Sequence, residues 1–92
     1  MKLALTERFQ NDVRGLDPPS RSAVFEAMLG LARAFGDPHL HAGLGLRKLH
    51  PSGIWEVRVG LGLRLVFTFS QATASLVTVG THDQVRRYLK SL

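Results

Sequence analysis

The side chains best suited to chemistry lie on, or just after, three consecutive strand-like segments in the second half of the chain. Glu56 and Arg58 alternate on the first segment, Arg64 is the second residue of the second segment, and His82 ends the third. Arginine forms forked contacts with phosphate or carboxylate, and histidine exchanges protons near neutral pH. Such a set contains the parts for cleaving RNA without a metal: a base for the 2′-hydroxyl, cations for the charged phosphorane and an acid for the leaving 5′-oxygen.

The three segments predict an antiparallel meander. They are rich in β-branched and aromatic residues, are bounded by Gly, Ser or Thr, and cover residues 54–59, 63–69 and 75–82. Side chains alternate along a strand, so one face of the first two segments is apolar. That face, which we expect to form the core under the helices, comprises Trp55, Val57, Val59, Leu63, Leu65, Phe67 and Phe69.

The turn Gly60-Leu61-Gly62 suggests a register for the polar face. If Val59 pairs with Leu63, Arg58 lies directly opposite Arg64, and Glu56 lies one diagonal step from Arg64. Two adjacent guanidinium groups repel each other, so the pair needs an anion nearby. Glu56, a bound phosphate or an acidic partner can supply it.

The third segment runs antiparallel and brings His82 close to Arg64, with Tyr88 one or two helical turns further along. Structural roles remain open for each of these residues. Arg58, Arg64 and Glu56 can form a solvated ion-pair ladder of little energetic value. His82 can be a capping or packing residue, and Tyr88, at helical spacing from Leu92, can belong to the core.

Helical patterns on both sides must cover this sheet. Lys2 to Leu5 predicts an edge strand, and Thr6 is a candidate N-cap for a first helix. Asp17 and Pro18 predict the start of a second helix that ends near Phe35. A short helix follows Asp83 and turns Val85, Tyr88, Leu89 and Leu92 toward the body. We therefore expect an α+β fold: an N-terminal strand, an antiparallel αα-hairpin on one face of a twisted antiparallel β-sheet, a free opposite face, and a short C-terminal helix.

Composition narrows the class of protein. Ninety-two residues predict a single domain, 1–92, with one modest core. The net charge is +5, and nine of the twelve basic residues are arginine, which favours nucleic acid or an acidic protein as the partner, or simply a basic surface. No 18-residue apolar run or signal-peptide pattern is present, so we expect a cytoplasmic protein with no membrane contact.

The sequence does not predict a metal site or a cofactor. There is no cysteine, which excludes a Cys-based zinc site. His39, His41 and His50 are scattered over a Gly-rich loop without a supporting carboxylate, so zinc is not expected there.

Four stretches together resemble the RelE/ParE superfamily of type II toxin–antitoxin toxins. Their order and spacing match across nearly the whole chain, and they comprise Arg47-Lys48-Leu49, Gly53 to Val59, Gly62 to Phe67 and Val79 to Asp83. The resemblance implies a small toxin that is neutralised by a cognate antitoxin in a hetero-oligomer. RelE-like members are ribosome-dependent endoribonucleases that cut mRNA and so inhibit translation.

The resemblance also implies roles for single residues. Arg64 matches the arginine that contacts the scissile phosphate, and Arg58 matches a basic residue on the preceding strand. Gly80-Thr81-His82 is similar to the Gly-Thr-His of YafQ-like toxins, whose histidine takes part in cleavage. Tyr88 aligns with a C-terminal tyrosine of RelE, and Glu56 corresponds to a possible base, as in YoeB-like relatives. We expect RNA-binding residues at Arg47, Lys48, Arg58, Arg64 and Arg86.

Two departures from the family pattern keep a second function open. Glu56 stands where RelE has a lysine, and Leu63 replaces the usual tyrosine before the arginine. The first hypothesis is an mRNA endonuclease with Arg58, Arg64 and His82 on one face. The alternative is a ParE-like inhibitor of DNA gyrase, or a binding protein with the RelE fold and no catalysis.

Overall fold

The computed structural model describes residues 1–35 and 45–92 and contains a five-stranded sheet with three helices in these residues. The predicted α+β class is confirmed. The elements in chain order are β1 (Lys2–Leu5), α1 (Glu7–Arg14), α2 (Pro18–Ala34), β2 (Arg47–His50), β3 (Ile54–Val59), β4 (Leu63–Ser70), β5 (Thr73–Thr81) and α3 (His82–Lys90).

The strands lie in the order β1-β5-β4-β3-β2. The predicted meander, β3 to β5, is antiparallel, and β2 joins it antiparallel to β3. β1 pairs in parallel with β5, from Lys2 opposite Thr73 to Leu5 opposite Leu76. The sheet is therefore mixed and not wholly antiparallel, which corrects the expectation from the sequence. The four residues of β1 do not themselves specify the direction in which an edge strand pairs.

One face of the sheet packs against α1 and α2 and forms the main core. α2 contributes Val24 and Leu31, both fully buried, and α1 contributes Phe9. Phe35 closes the core with edge-on ring contacts to Trp55, at 5.3 Å, and to Phe67, at 5.6 Å. Burying each large side chain contributes about 2 kcal/mol to folding. The core face predicted for β3 and β4 is confirmed in the buried cluster and its flanking side chains.

Side-chain caps fix where the helices begin. The Thr6 hydroxyl accepts a hydrogen bond from the Phe9 N–H at 3.1 Å and donates to the Leu76 carbonyl at 2.8 Å, so it caps α1 and joins α1 to β5. Asp17 is the N-cap residue of α2, and interactions led by the Ser20 hydroxyl lower the pKa of its carboxyl. Both cap positions agree with the sequence prediction.

α1 lies along the edge of the sheet beyond β1. β1 pairs with β5 only as far as Leu76, which leaves the second half of β5 without a strand neighbour on that side. There the Asp12 carboxylate accepts hydrogen bonds from the Thr78 hydroxyl, at 2.5 Å, and from the Val79 N–H, at 3.3 Å. Asp12 thereby occupies a strand edge that would otherwise be open to pairing with another chain.

The face opposite the main core is not left free, contrary to the sequence expectation. α3 packs against β4 and β5. Val66 of β4 and Val85 of α3 are both buried, although neither belongs to the main core cluster. The expectation failed because a strand that alternates Arg64, Val66 and Thr68 looks solvated unless the short helix is known to fold back over it. Leu92, which we expected to face the body, is instead 69% exposed.

No helix within residues 1–35 and 45–92 is long and apolar enough to cross a membrane.

Candidate functional site

The register predicted for the polar face is confirmed. Val59 pairs with Leu63, which places Arg58 directly opposite Arg64. The next strand continues the row, because Arg64 pairs with Gly80 of β5. Paired residues project on the same side of a sheet, so two arginines and a glycine form one line across β3, β4 and β5. We call this line the arginine row.

A second row runs beside the first and holds the carboxylate of the site. Arg47 of β2 pairs with Glu56, and Glu56 pairs with Val66. Glu56 is only 7% exposed, and its Oε2 lies 3.9 Å from Nε of Arg64. At that distance the contact is an ion pair rather than a hydrogen bond. It gives Arg64 an anionic neighbour on one side.

His82 is the first residue of α3 and is exposed. Its Nε2 lies 3.5 Å from the Arg86 guanidinium, one helical turn further along. Because arginine only donates hydrogen bonds, this contact can be a hydrogen bond only when Nε2 carries no hydrogen and acts as the acceptor. His82 thus holds a proton-accepting atom at the surface, close to a fixed positive charge.

Gln84 belongs to this region, although it was not predicted from the sequence. A Cβ placed on Gly80 would lie 2.5 Å from Gln84 Oε1 and 3.1 Å from Gln84 Cβ, so the first turn of α3 rests directly on the end of the arginine row. Gln84 also accepts from the Thr81 N–H at 2.8 Å, and the Thr81 hydroxyl accepts from the Gln84 N–H at 3.2 Å. The spacing Thr81-x-x-Gln84 is a capping box and was visible in the sequence.

Tyr88 lies on another side of α3. Its ring is covered by the Arg8 guanidinium of α1, 4.7 Å from the ring centre. Tyr88 and Arg8 line a cleft of about 560 Å³ between α1 and α3, together with Asp12 and Thr78. The six-residue spacing from His82 to Tyr88 corresponds to a rotation of about 240° around a helix. The structure therefore brings His82 and Arg86 together and sets Tyr88 apart from them.

The remaining candidate RNA-binding residues divide between the two faces. Arg47 is exposed and opposite Glu56, on the face of the arginine row. Lys48 pairs with Trp55 and places its ammonium 5.6 Å from that ring, so it lies on the other face. The face with the arginine row thus carries Arg47, Arg58 and Arg64 against Glu56, an excess of positive charge that favours an anionic ligand.

The histidines outside this site do not form a metal centre within the described residues. His50 Nδ1 lies 2.7 Å from the Ser52 hydroxyl in the turn after β2. His39 and His41 fall outside the residues that the structure describes. In residues 1–35 and 45–92, no group of three or more metal-ligating side chains comes together.

Three solved structures, two of toxins and one of an antitoxin–toxin complex, are similar to this chain over nearly its whole length. A chain of the RelB–RelE antitoxin–toxin complex from Methanococcus jannaschii has a TM-score of 0.72 and 14% identity, covering 92% of this chain and 96% of that one. The isolated Escherichia coli RelE toxin has a TM-score of 0.67 and 16% identity, covering 99% and 98%. A YoeB/ParE toxin from Agrobacterium tumefaciens has a TM-score of 0.69 and 21% identity, covering 89% and 99%.

No family model matches the sequence, and no curated protein matches it. The structural similarity extends over almost all of each chain compared, so the fold is the one shared by the RelE and YoeB/ParE toxins. The resemblance read from the four sequence stretches is therefore confirmed at the level of the fold.

Proposed function

We propose that this chain, which has the fold of the RelE and YoeB/ParE toxins, is the toxin of a type II toxin–antitoxin system and inhibits translation by cleaving mRNA on the ribosome. The ribosome and the antitoxin are part of this proposal because the sequence resembles that superfamily. The chemistry of cleavage is argued from the side chains around the arginine row.

The observation that carries the proposal is the pairing of Arg58 with Arg64 on the face that also holds Glu56. Like charges directly opposite each other on adjacent strands destabilise a sheet. Glu56 offsets the charge of Arg64, whereas Arg58 has no ion pair within the described residues. A phosphodiester placed across the row would receive both guanidinium groups, and it would compensate the second charge.

In the proposed reaction, Arg58 and Arg64 bind the scissile phosphate and stabilise the negative charge that develops on the phosphorane. The 2′-oxygen of the RNA attacks phosphorus, the bond to the 5′-oxygen breaks, and the products carry a 2′,3′-cyclic phosphate and a 5′-hydroxyl. His82 accepts the proton of the 2′-hydroxyl on Nε2 and returns it to the leaving 5′-oxygen.

Burial separates the roles of Glu56 and His82. A general base must come within hydrogen-bonding distance of the proton it removes. His82 is exposed and can meet a substrate, whereas Glu56 is 7% exposed and its Oε2 lies 3.9 Å from Arg64 Nε. We therefore assign Glu56 to orienting the Arg64 guanidinium and His82 to proton transfer.

The partners follow from the charge of the same face. Arg47 is exposed on the face of the arginine row and Arg86 is exposed on α3, next to His82. In this proposal they contact RNA phosphates on either side of the cut. An antitoxin would neutralise the protein by laying a segment with acidic and apolar residues over this face. The expected assembly is a toxin–antitoxin hetero-oligomer.

Primer extension on translated mRNA after induction tests the proposal. The wild type should produce cuts in phase with codons, and Arg64→Ala should remove them. Arg33→Ala is the matched control, because Arg33 is an exposed arginine in the last turn of α2, which packs on the opposite face of the sheet. Intact mRNA in cells whose growth is arrested by the wild type would overturn the nuclease assignment.

A non-catalytic binding role is the alternative, as in an inhibitor of DNA gyrase. Two observations favour it: Tyr88 is engaged by Arg8 away from the arginine row, and Glu56 is nearly buried. In that case induction should leave mRNA intact and cause relaxed plasmid to accumulate. Accumulation of relaxed plasmid with Arg64→Ala as well would show that the arginine row is not the contact surface.

A further inference from the structure

Gly45 lies against the side chain of Arg58. A Cβ built on Gly45 would be 2.7 Å from Arg58 Nε, 3.2 Å from its Cβ and 3.3 Å from its Cζ. The Arg58 side chain therefore passes directly over the Gly45 α-carbon, from its base to its guanidinium. Nonbonded carbon and nitrogen atoms essentially never approach within 3.0 Å, so a side chain at position 45 would force the Arg58 side chain to move.

The strand register shows which way Arg58 leans. Arg47 pairs with Glu56, so continuing the antiparallel register by two residues brings Gly45 opposite Arg58 on the β2 side of β3. Arg64 lies on the other side of β3, on β4. Arg58 thus bends over Gly45 and away from Arg64, while Arg64 is drawn toward Glu56. The two like charges are separated by directing the two side chains to different neighbours.

We propose that Gly45 is a positioning residue that holds the Arg58 guanidinium on the β2 side of the arginine row, where it forms one half of the phosphate site. The inference rests on the proposed function, since it concerns the same site. Gly45 acts by having no side chain. Its backbone provides a flat surface for Arg58, and the gap between Arg58 and Arg64 stays open for the anion.

A close control exists within the chain. Gly45 has a φ of +65°, so alanine there meets backbone strain as well as Arg58. Gly60 has a φ of +61°, and a Cβ there would have no neighbour within 4 Å. Gly45→Ala and Gly60→Ala therefore impose similar backbone strain, and only the first displaces Arg58.

The test measures binding of the full-length chain to a fluorescent single-stranded RNA with 2′-O-methyl groups, which cannot be cleaved. Arg58→Ala should weaken binding about tenfold, the loss expected for one charge-assisted contact. Gly45→Ala should weaken it to a similar extent, and Gly60→Ala should leave it unchanged. The double variant Gly45→Ala/Arg58→Ala should bind no more weakly than Arg58→Ala alone, since both changes remove the same contact.

Salt dependence distinguishes positioning from general damage. On a single strand, loss of one phosphate contact reduces the magnitude of the slope of log affinity against log salt by about 0.7. Gly45→Ala and Arg58→Ala should share this reduced slope, whereas a variant that is only less stable keeps the wild-type slope. A wild-type slope for Gly45→Ala, whether or not its affinity falls, or additive losses in the double variant, would overturn the role of Gly45.

The outcome for Arg64→Ala separates the two proposals. If Arg64→Ala weakens binding and Gly45→Ala does not, only the inference about Gly45 fails. If Arg64→Ala and Arg58→Ala both bind as the wild type does, the arginine row is not the RNA site, and the proposed function fails with it.

Discussion

Glu56 and Arg64 lie one diagonal step apart on β3 and β4, with Oε2 of the first 3.9 Å from Nε of the second. Glu56 is nearly buried, and the Arg64 side chain is 26% exposed. The pair therefore anchors Arg64 to the sheet while leaving part of its side chain accessible.

Replacing Glu56 by glutamine should lower the free energy of unfolding by about 1 kcal/mol. The change keeps the shape but removes the only acidic neighbour of Arg64 within the described residues, so the repulsion between Arg58 and Arg64 is no longer offset. The loss is modest because the pair is long and Arg64 is partly exposed. Urea denaturation measures it. Glu26→Gln, an exposed change on α2, should have no effect, and equal losses in both variants would contradict the anchoring role.

Replacing His82 and Tyr88 one at a time should distinguish a residue that transfers protons from one that only packs. His82→Ala should lower the cleavage rate by about 10²-fold or more, the usual contribution of a general acid–base group. Tyr88→Phe should retain cleavage within about a factor of three, because the Arg8 contact involves the ring and not the hydroxyl. Codon-phased cleavage, quantified by primer extension, provides the rates. A large loss of the cleavage rate in Tyr88→Phe would show that the tyrosine hydroxyl takes part in the reaction.

Alanine at Gly80 should destabilise the protein by about 1–2 kcal/mol and reduce cleavage as well. The new methyl group would meet Gln84 and lift the first turn of α3, which carries His82, from the sheet. Gly62 is the control, since a Cβ there has open space around it. Thermal unfolding and primer extension of Gly80→Ala and Gly62→Ala give the comparison. If Gly80→Ala melts lower yet cuts normally, the placement of His82 does not depend on this contact.

The arginine row could be predicted from the sequence because it depends on local rules. The turn Gly60-Leu61-Gly62 sets the register of β3 and β4, and alternation then places Arg58 opposite Arg64. The caps at Thr6 and Asp17 also lie next to the helices that they start. In each case, the residues that determine the feature are close in the chain.

The features that escaped prediction depend on distant contacts. The parallel docking of β1, the return of α3 over the second face and the engagement of Tyr88 by Arg8 each join segments far apart in sequence. Gly45 belongs to the same group, since only the alignment of β2 with β3 shows that it faces Arg58. The single-domain prediction and the roles of the site residues stay predictions.

Asp12 and Thr78 should contribute to the stability of the fold as a coupled pair. Asp12→Ala removes the acceptor for the buried Thr78 hydroxyl and for the Val79 N–H, and it should cost about 1–3 kcal/mol in unfolding free energy. Thr78→Val keeps the shape and removes the hydroxyl that needs an acceptor. In the Asp12→Ala background, Thr78→Val should therefore cost less than in the wild type, and it can restore part of the loss. Urea denaturation of the two single variants and the double variant measures the coupling. Additive losses would mean that α1 is held to the sheet edge by its apolar contacts and the Thr6 hydroxyl alone.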